Sequence, residues 1–598
     1  MQGLVDMVPG RVRALFADLH VDPLALSALV CCSALSLALL KWMGQKKILK
    51  KMERARRRRD EALRKMEMAV HRFKQQNPGL KPEDILSLSL KELSDRLKEG
   101  SLLPENVLYT YMEKALEVNK LTNSLTDFLP ECEAQLQEIK KQEVKGLLYG
   151  VPVSIKDHYG YKGHASTCGL VHFLDIQEEK DCVLVQVLKK QGAIPFVKTN
   201  VPQSMMNYDC SNLIFGQTLH PLNHQKTPGG SSGGEGALLA GGGSILGFGS
   251  DIAGSIRVPS SFCGICGIKP TGFRLSIGGL SAPLSGITSV VPMAGPMARD
   301  VDSLALCMKA LLCEELFYLD PTVPPIPFND EVYRRSKPLR IGYYDTDGYC
   351  MPPPCMQRAV SETKRLLEKA GHTLIPFTPP RMDYVANELF TKGLFADGAS
   401  MLLDKFEEDI VDPTLKPQIS TYRLPNWMKW TLATILKPVC PRIARDLKAL
   451  RGRRSARDLW EQNTETLAYC KEFTSEWRNL KLDVVLCPVM GPAYNLGYVG
   501  KLFATGTYTY LYNILNFPAG VVPVTTVTEQ DEEELTHYKG HYNDHWDKLI
   551  KKAVTGAVGL PVAVQCVALP WQDELCLRFM KEVETLVEEE KIRCGTVS

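Results

Sequence analysis

Serine, glycine and one upstream lysine are the residues of this 598-residue chain best placed to do chemistry. Residues 228–269 read PGGSSGGEGALLAGGGSILGFGSDIAGSIRVPSSFCGICGIK. A serine hydroxyl becomes a nucleophile once a base takes its proton, and glycine lets backbone N–H groups converge on a developing oxyanion. Two serine clusters stand out, Ser231-Ser232 and Ser255. Upstream, Lys156 ends the apolar run Val151-Pro-Val-Ser-Ile155, and a strand there would carry it toward a site rather than into bulk water. A lysine is a base only when neutral, so its pKa must fall from about 10.4 toward neutrality, which desolvation can supply. Composition alone does not choose Ser255 over Ser231 or Ser244. It also leaves open whether Lys156 is a base or a strand-end surface lysine.

Generic motifs narrow the field. Neither G-x-x-x-x-G-K-[ST] nor G-x-G-x-x-G occurs, so phosphate and dinucleotide cradles lack their signatures. Gly229-Gly-Ser231-Ser-Gly233 matches G-x-S-x-G, but a nucleophile elbow must follow a buried strand. The preceding LHPLNHQKTP is polar and turn-like, which excludes that reading.

Five motifs then occur in order: Val153-Ser-Ile-Lys-Asp157, Gly229-Gly-Ser-Ser-Gly-Gly234, Asp251-Ile-Ala-Gly-Ser-Ile-Arg-Val-Pro259, Gly264-Ile-Cys-Gly-Ile-Lys-Pro-Thr271 and Gly295-Pro-Met-Ala-Arg-Asp300. Together they resemble the amidase-signature family. Asn200-Val-Pro-Gln-Ser204, Phe517-Pro-Ala-Gly-Val-Val-Pro523 and Gly559-Leu-Pro-Val-Ala-Val-Gln565 extend the likeness almost to the C-terminus. The resemblance implies an α/β fold with a large twisted mixed β-sheet surrounded by helices. It makes Lys156 the base, Ser231 the relay and Ser255 the nucleophile of an acyl-enzyme mechanism that uses no cofactor or metal. Backbone N–H groups of Ile252, Ala253, Gly254 and Ser255 would hold the oxyanion. Asp251 and Arg257 would fix the loop, Ser232 would orient Ser231, and Met205 would lie near bound substrate. Two departures matter: Ala253 stands where the family commonly has glycine, and Met206 stands where an aromatic is expected. If position 253 needs positive φ, alanine costs about 1–2 kcal/mol there.

These side chains need a scaffold. From about residue 80, helical stretches alternate with short apolar runs, as in βα units. Expected strands are Val151–Ile155, Ala193–Val197, Leu339–Tyr343, Val484–Cys487, Gly520–Val524 and Val562–Val567. Expected helices are Pro82–Glu99, Pro104–Lys120, Leu129–Gln142, Val183–Gln191, Met356–Ala370 and Trp571–Glu588. The stretch DPTVPPIPF, 320–328, reads as an extended connector.

Ahead of this body, residues 1–22 form a short expected lumenal terminus. Pro23–Leu40 is an uncharged apolar stretch at the short edge of a membrane-spanning helix. Residues 41–80 form a basic juxtamembrane helix whose Arg56-Arg57-Arg58-Arg59 run suits anionic headgroups and places 81–598 in the cytosol. Ile48, Met52, Ala55, Met66, Val70 and Phe73 recur there at helical spacing. Within the body, 424–440 mixes tryptophan with aliphatics beside a basic cluster, as an interfacial segment would; a surface helix pair packed on the sheet is the alternative.

Bulk properties fit an enzyme better than a nucleic-acid binder, because a net charge of +3 is small for this length. The 18 cysteines lack the spacing of a disulfide scaffold, and Cys263-Gly-Ile-Cys266 has no second pair at zinc spacing. With the span and the tryptophan segment, the likeness is strongest to membrane-bound family members that act on fatty-acid amides. It implies hydrolysis of N-acylethanolamines and primary fatty amides to fatty acid and amine at an endomembrane, endoplasmic reticulum or Golgi, by a homodimer. The competing readings are an amidase or amidotransferase subunit for small soluble substrates, and an inactive membrane scaffold.

Overall fold

The apolar runs meet in one mixed sheet of 11 strands in a computed structural model that describes residues 23–595. In chain order the strands are β1 (Leu125–Phe128), β2 (Pro152–Lys156), β3 (Ile194–Thr199), β4 (Ser211–Asn212), β5 (Gly216–Gln217), β6 (Leu246–Asp251) and β7 (Cys266–Lys269). They continue as β8 (Met293–Ala298), β9 (Arg340–Tyr343), β10 (Thr373–Pro376), β11 (Val484–Pro488), β12 (Ala519–Thr526) and β13 (Pro561–Ala568). The sheet runs β1-β3-β2-β6-β8-β7-β12-β13-β11-β9-β10, while β4 and β5 form a separate hairpin. Strands β3, β2 and β6 are mutually parallel, as are β11, β9 and β10, and antiparallel pairs join the two groups. This is the mixed α/β sheet the resemblance implies.

All six expected strands are present, their ends shifted by at most two residues. Three strands beside the site were not expected, because LGFGSD, CGIK and MAGPMA carry glycine where strand patterns carry branched side chains. Close approach explains one of those glycines: a Cβ on Gly249 would sit 2.7 Å from Ser232 Oγ. Expected helix Pro82–Glu99 is two helices, Glu83–Leu86 and Leu90–Glu99. The break is encoded by Ser89, which caps the second helix while Glu92 bonds back to it. The last helix, Asp573–Arg593, packs against β12 and β13.

The N-terminal part differs from expectation. A single 54-residue helix, Pro23–Gln76, runs without a break through the boundary expected at residue 40. Its face Met52, Ala55, Met66, Val70 and Phe73 is buried against the body. The basic run is largely engaged there rather than left for headgroups alone. Arg56 Nε donates to the Ile214 carbonyl at 2.7 Å, Arg59 Nη1 to the Phe215 carbonyl at 3.2 Å, and Lys51 pairs with Asp175 at 2.9 Å. Residues 31–47 are exposed all round. Among the described residues no helix is long and apolar enough to cross a membrane. The expected span is described only in part: the side chains of 23–26 and 29–30, and the terminus 1–22, lie outside the described residues.

Candidate active site

Strand β2 delivers Lys156 to the sheet's C-terminal edge, fully buried beside the end of β6. Its Nζ lies 2.7 Å from Ser231 Oγ and 3.0 Å from Ser250 Oγ, with the Ser250 carbonyl at 3.5 Å. Burial pushes the Lys156 amine down to about 7, with the Asp251 charge pulling the other way. The lysine is thus neither a surface residue nor a fixed cation near neutral pH. Ser250 was not singled out in the sequence; its signal was adjacency to Asp251 in a strand that the glycines disguised.

Ser231 sits two residues before the helix Gly233–Ala240 and is 2% exposed, and Ser255 is 4% exposed. The two segments are tied together, since the Ser232 N–H donates to the Ser255 carbonyl at 3.1 Å. Ser232 Oγ accepts from the Ser250 N–H at 3.4 Å. Lys156, Ser231, Ser232 and Ser255 therefore converge from a strand end and two loops.

The loop 252–256 owes its shape to a buried ion pair. Arg257 Nη2 donates to Asp251 Oδ1 at 2.9 Å and Nε to Oδ2 at 3.1 Å, both side chains being wholly inaccessible. Burial opposes ionisation of Asp251, but the Arg257 guanidinium outweighs it and holds the carboxyl well below the usual range. Asp251 also accepts from the N–H groups of Gly254 at 2.8 Å and Ile256 at 3.1 Å. Arg257 reaches onward to the Thr509 carbonyl and Gln565 Oε1, each at 2.8 Å, and to Asn513 Oδ1 at 2.6 Å. Asn513 lies in no motif read from the sequence and Gln565 only ends one, and their pairing with Arg257 was not foreseen because they lie 256 and 308 residues away along the chain.

Two expectations about this loop change. Gly254, expected to help hold an oxyanion, already donates its N–H to Asp251, which leaves Ile252, Ala253 and Ser255 as the donors of the expected set. The alanine at 253 carries no left-handed strain, because positive φ falls on the neighbouring Gly254, at 121°. Ala253 is buried, and its carbonyl accepts from Tyr208 Oη at 2.7 Å and Thr509 Oγ1 at 2.6 Å. A Cβ on Gly254 would come within 2.5 Å of Thr509 Oγ1. Gly254→Ala is therefore expected to cost about 1–3 kcal/mol in stability and to lower turnover, read by denaturant melts and steady-state kinetics.

Met205 is half-buried with φ 56°, next to the fully buried, left-handed Ser204, and Met206 is buried. Another buried acid, Glu235, was missed. It accepts from Ser154 Oγ at 2.6 Å and Thr199 Oγ1 at 2.8 Å, and burial pushes its carboxyl up to about 8. Cys263 and Cys266 are buried thiols, donating to the Pro228 carbonyl at 3.4 Å and to Glu584 Oε1 at 3.8 Å.

The chain is similar to known proteins along most of its length. Fatty-acid amide hydrolase 1 of Sus scrofa is 56% identical over 560 residues, 94% of this chain and 96% of that protein. Vitamin D3 hydroxylase-associated protein of Gallus gallus is 66% identical over 454 residues, 76% of this chain and 98% of that one. A solved structure of a fatty acid amide hydrolase superposes with a TM-score of 0.77 at 26% identity, covering 92% of this chain and 96% of that one. The amidase family model matches residues 106–577, a stretch that runs from before β1 into the last helix and includes every residue of the site, and the chain belongs to the amidase family.

Proposed function

We propose that this protein is a membrane-associated serine hydrolase that cleaves long-chain fatty-acid amides, N-acylethanolamines and primary amides, to fatty acid and amine. The observation that carries the chemistry is a buried Lys156 amine, lowered to about 7, at 2.7 Å from Ser231 Oγ. A neutral amine has two N–H donors and one lone pair. Ser250 Oγ and the Ser250 carbonyl accept the donors, so the lone pair is left for the Ser231 proton. Ser231 then takes the proton of Ser255, whose oxygen attacks the amide carbon and forms an acyl-enzyme. The N–H groups of Ile252, Ala253 and Ser255 stabilise the oxyanion. The relay run backwards protonates the leaving amine, and water releases the acid. Asp251 and Arg257 act by holding the loop, and Ser232 by fixing Ser231 against it. Met205 lines the substrate path.

The lipid substrate and membrane association are supported by likeness to the fatty-acid amide hydrolases and by where exposed apolar side chains lie. Leu35, Leu37, Leu39 and Leu40 on the projecting helix are each more than half exposed. The segment 424–440 is a helix, Asn426–Leu436, followed by Pro441–Ala449, with Ala433, Ala444 and Leu447 in the seam. Trp427 is 67% exposed and Val439 72%, with Trp430 and Ile435 also open to solvent. Exposed tryptophans and aliphatics on one helix pair suit the interface of a bilayer, from which a greasy amide can enter sideways. A cytosolic body on an endomembrane and a homodimer complete the proposal on the same likeness.

Comparing a long-chain amide with a two-carbon amide tests it, and preference for the short one overturns the lipid reading. Trp427→Ser with Trp430→Ser is expected to weaken binding to vesicles and lower kcat/KM for the long amide about tenfold, leaving the short amide unchanged.

A further inference from the structure

Next to the proposed relay the fold encloses a second polar cluster that the mechanism does not use. Glu235, the third residue of the helix Gly233–Ala240, is fully buried, and its carboxyl reaches the sheet. Its Oε1 lies 2.8 Å from Thr199 Oγ1 at the end of β3, and its Oε2 lies 2.6 Å from Ser154 Oγ in β2. Room for the carboxyl comes from β6, where a Cβ on Gly247 would stand 2.1 Å from Oε2. Among the described residues its hydrogen-bond partners are two hydroxyls and no cation.

The number of available hydrogens fixes the state of this acid. Ser154 Oγ is also 3.0 Å from Ser244 Oγ, and Ser244 Oγ is 2.9 Å from the Leu246 carbonyl. A chain through Thr199, Glu235, Ser154, Ser244 and Leu246 thus has four oxygen contacts, each needing a proton. Its three hydroxyls supply three, because a hydroxyl donates once. With the carboxyl ionised, Ser154 donates to it, Ser244 donates to Leu246, and the buried contact between the two serines has no proton. With Oε2 protonated, the acid donates to Ser154, Ser154 to Ser244 and Ser244 to the Leu246 carbonyl, while Oε1 accepts from Thr199. Burial acts in the same direction, pushing this carboxyl up to about 8.

The cluster ties together the two segments that form the relay. Ser154 lies on the same face of β2 as Lys156, since side chains alternate along a strand. Glu235 lies in the first turn of the helix that follows Ser231. That helix start is pressed onto the end of β3, where a Cβ on Gly234 would stand 2.3 Å from the Asn200 nitrogen. The carboxyl therefore clamps the helix after Ser231 onto the strand that ends in Lys156. Its charge matters as well, because an ionised Glu235 would favour the protonated Lys156 amine. Tyr159 is the other titratable group on which that charge bears, and burial already pushes its phenol well above the usual range.

We propose that Glu235 is a positioning residue for Lys156 and Ser231, kept as a neutral carboxylic acid so that it fixes their spacing without holding a proton on the amine. This role rests on the relay of the proposed function and deepens it.

Wild type, Glu235→Gln, Glu235→Leu and Lys156→Met, each full-length in detergent, provide the test. Infrared difference spectra between wild type and Glu235→Gln at about pH 6 read the carboxyl directly, because an ordinary glutamate is ionised there. Wild type is expected to show a carboxylic-acid C=O band that the glutamine variant lacks. Glu235→Leu is expected to lower kcat about a hundredfold while KM changes less than about threefold. Glutamine offers an N–H to Ser154 and a carbonyl to Thr199, so it should rescue kcat to within about tenfold of wild type and keep the midpoint of kcat/KM against pH. A carboxylate band in place of the acid band overturns the neutral assignment, as does a midpoint lower by about one pH unit in the glutamine variant. A leucine variant with wild-type kcat, or a glutamine variant as slow as leucine, overturns the positioning role. If leucine prevents folding, the wild-type and glutamine spectra and pH profiles still decide. Lys156→Met separates the two readings: wild-type turnover in that variant removes the relay and this inference together, whereas the other contrary results, with Lys156→Met inactive, remove this inference alone.

Discussion

Lys156→Met is expected to lower the rate of acylation about a thousandfold or more while leaving the protein folded. Among the described residues the buried amine is the one side-chain group hydrogen-bonded to Ser231 Oγ that can take its proton, and methionine keeps the length of the side chain without the lone pair. In the wild type the same amine shapes the pH profile. Lys156 works when neutral, so kcat/KM should rise about tenfold per pH unit below about 7 and level off above it, as the amine's position at about 7 requires. Stability should follow a related course. In the unfolded chain the amine returns to about 10.4, so between about pH 7 and that value the unfolded state binds the extra proton and stability climbs with pH. Below about 7 both states are protonated, and burial of the cation costs its full amount. Lys156→Met removes this dependence, and urea melts across that range should show the variant more stable than wild type at low pH.

Asp251→Ala has the larger expected effect on the fold. It leaves the Arg257 guanidinium, wholly buried, without its carboxylate, and it removes the acceptor of the Gly254 and Ile256 N–H groups at the same stroke. Breaking one side of a buried pair costs about 3–5 kcal/mol. Turnover should fall with stability, because the same two oxygens hold the loop that presents Ser255. The pair itself is robust to acid: the Asp251 carboxyl is held well below its usual range, so its contribution is present at neutral pH and is lost only as pH falls through that depressed value. A mild acid step to about pH 5 should therefore leave the wild-type loop intact, which hydrogen exchange of the Gly254 and Ile256 amides would report.

How far the sequence foretold these positions depends on what each residue has to do alone. Strand β2 was legible because Val151–Ile155 is a continuous apolar run, and Lys156 at its end inherits a position from it. Strand β6 was not, since Gly247 and Gly249 remove the side chains by which a strand is recognised, and with it went Ser250, a second partner of Lys156. Asn513 is an ordinary polar residue, and Gln565 only the last residue of a motif, until the fold brings both to Arg257, and no local pattern announces that partner. The doubt over Ala253 arose from treating the loop's positive φ as a property of position 253; the backbone places it one residue later, at Gly254. The basic run shows how little a charge pattern says about partners. Charge beside an apolar stretch suits headgroups, and within it Arg56 and Arg59 donate to carbonyls of Ile214 and Phe215. A run of like charges says that acceptors are needed and not which ones.

On the proposed mechanism Ser255 is the nucleophile and Lys156 activates it through Ser231. Treating the detergent-solubilised full-length protein with a fluorophosphonate and mapping the adduct by peptide mass tests it most directly. One covalent adduct is expected on Ser255, absent from Ser255→Ala and formed far more slowly in Lys156→Met. An adduct on Ser231 or Ser232, or labelling that survives Ser255→Ala undiminished, would contradict it.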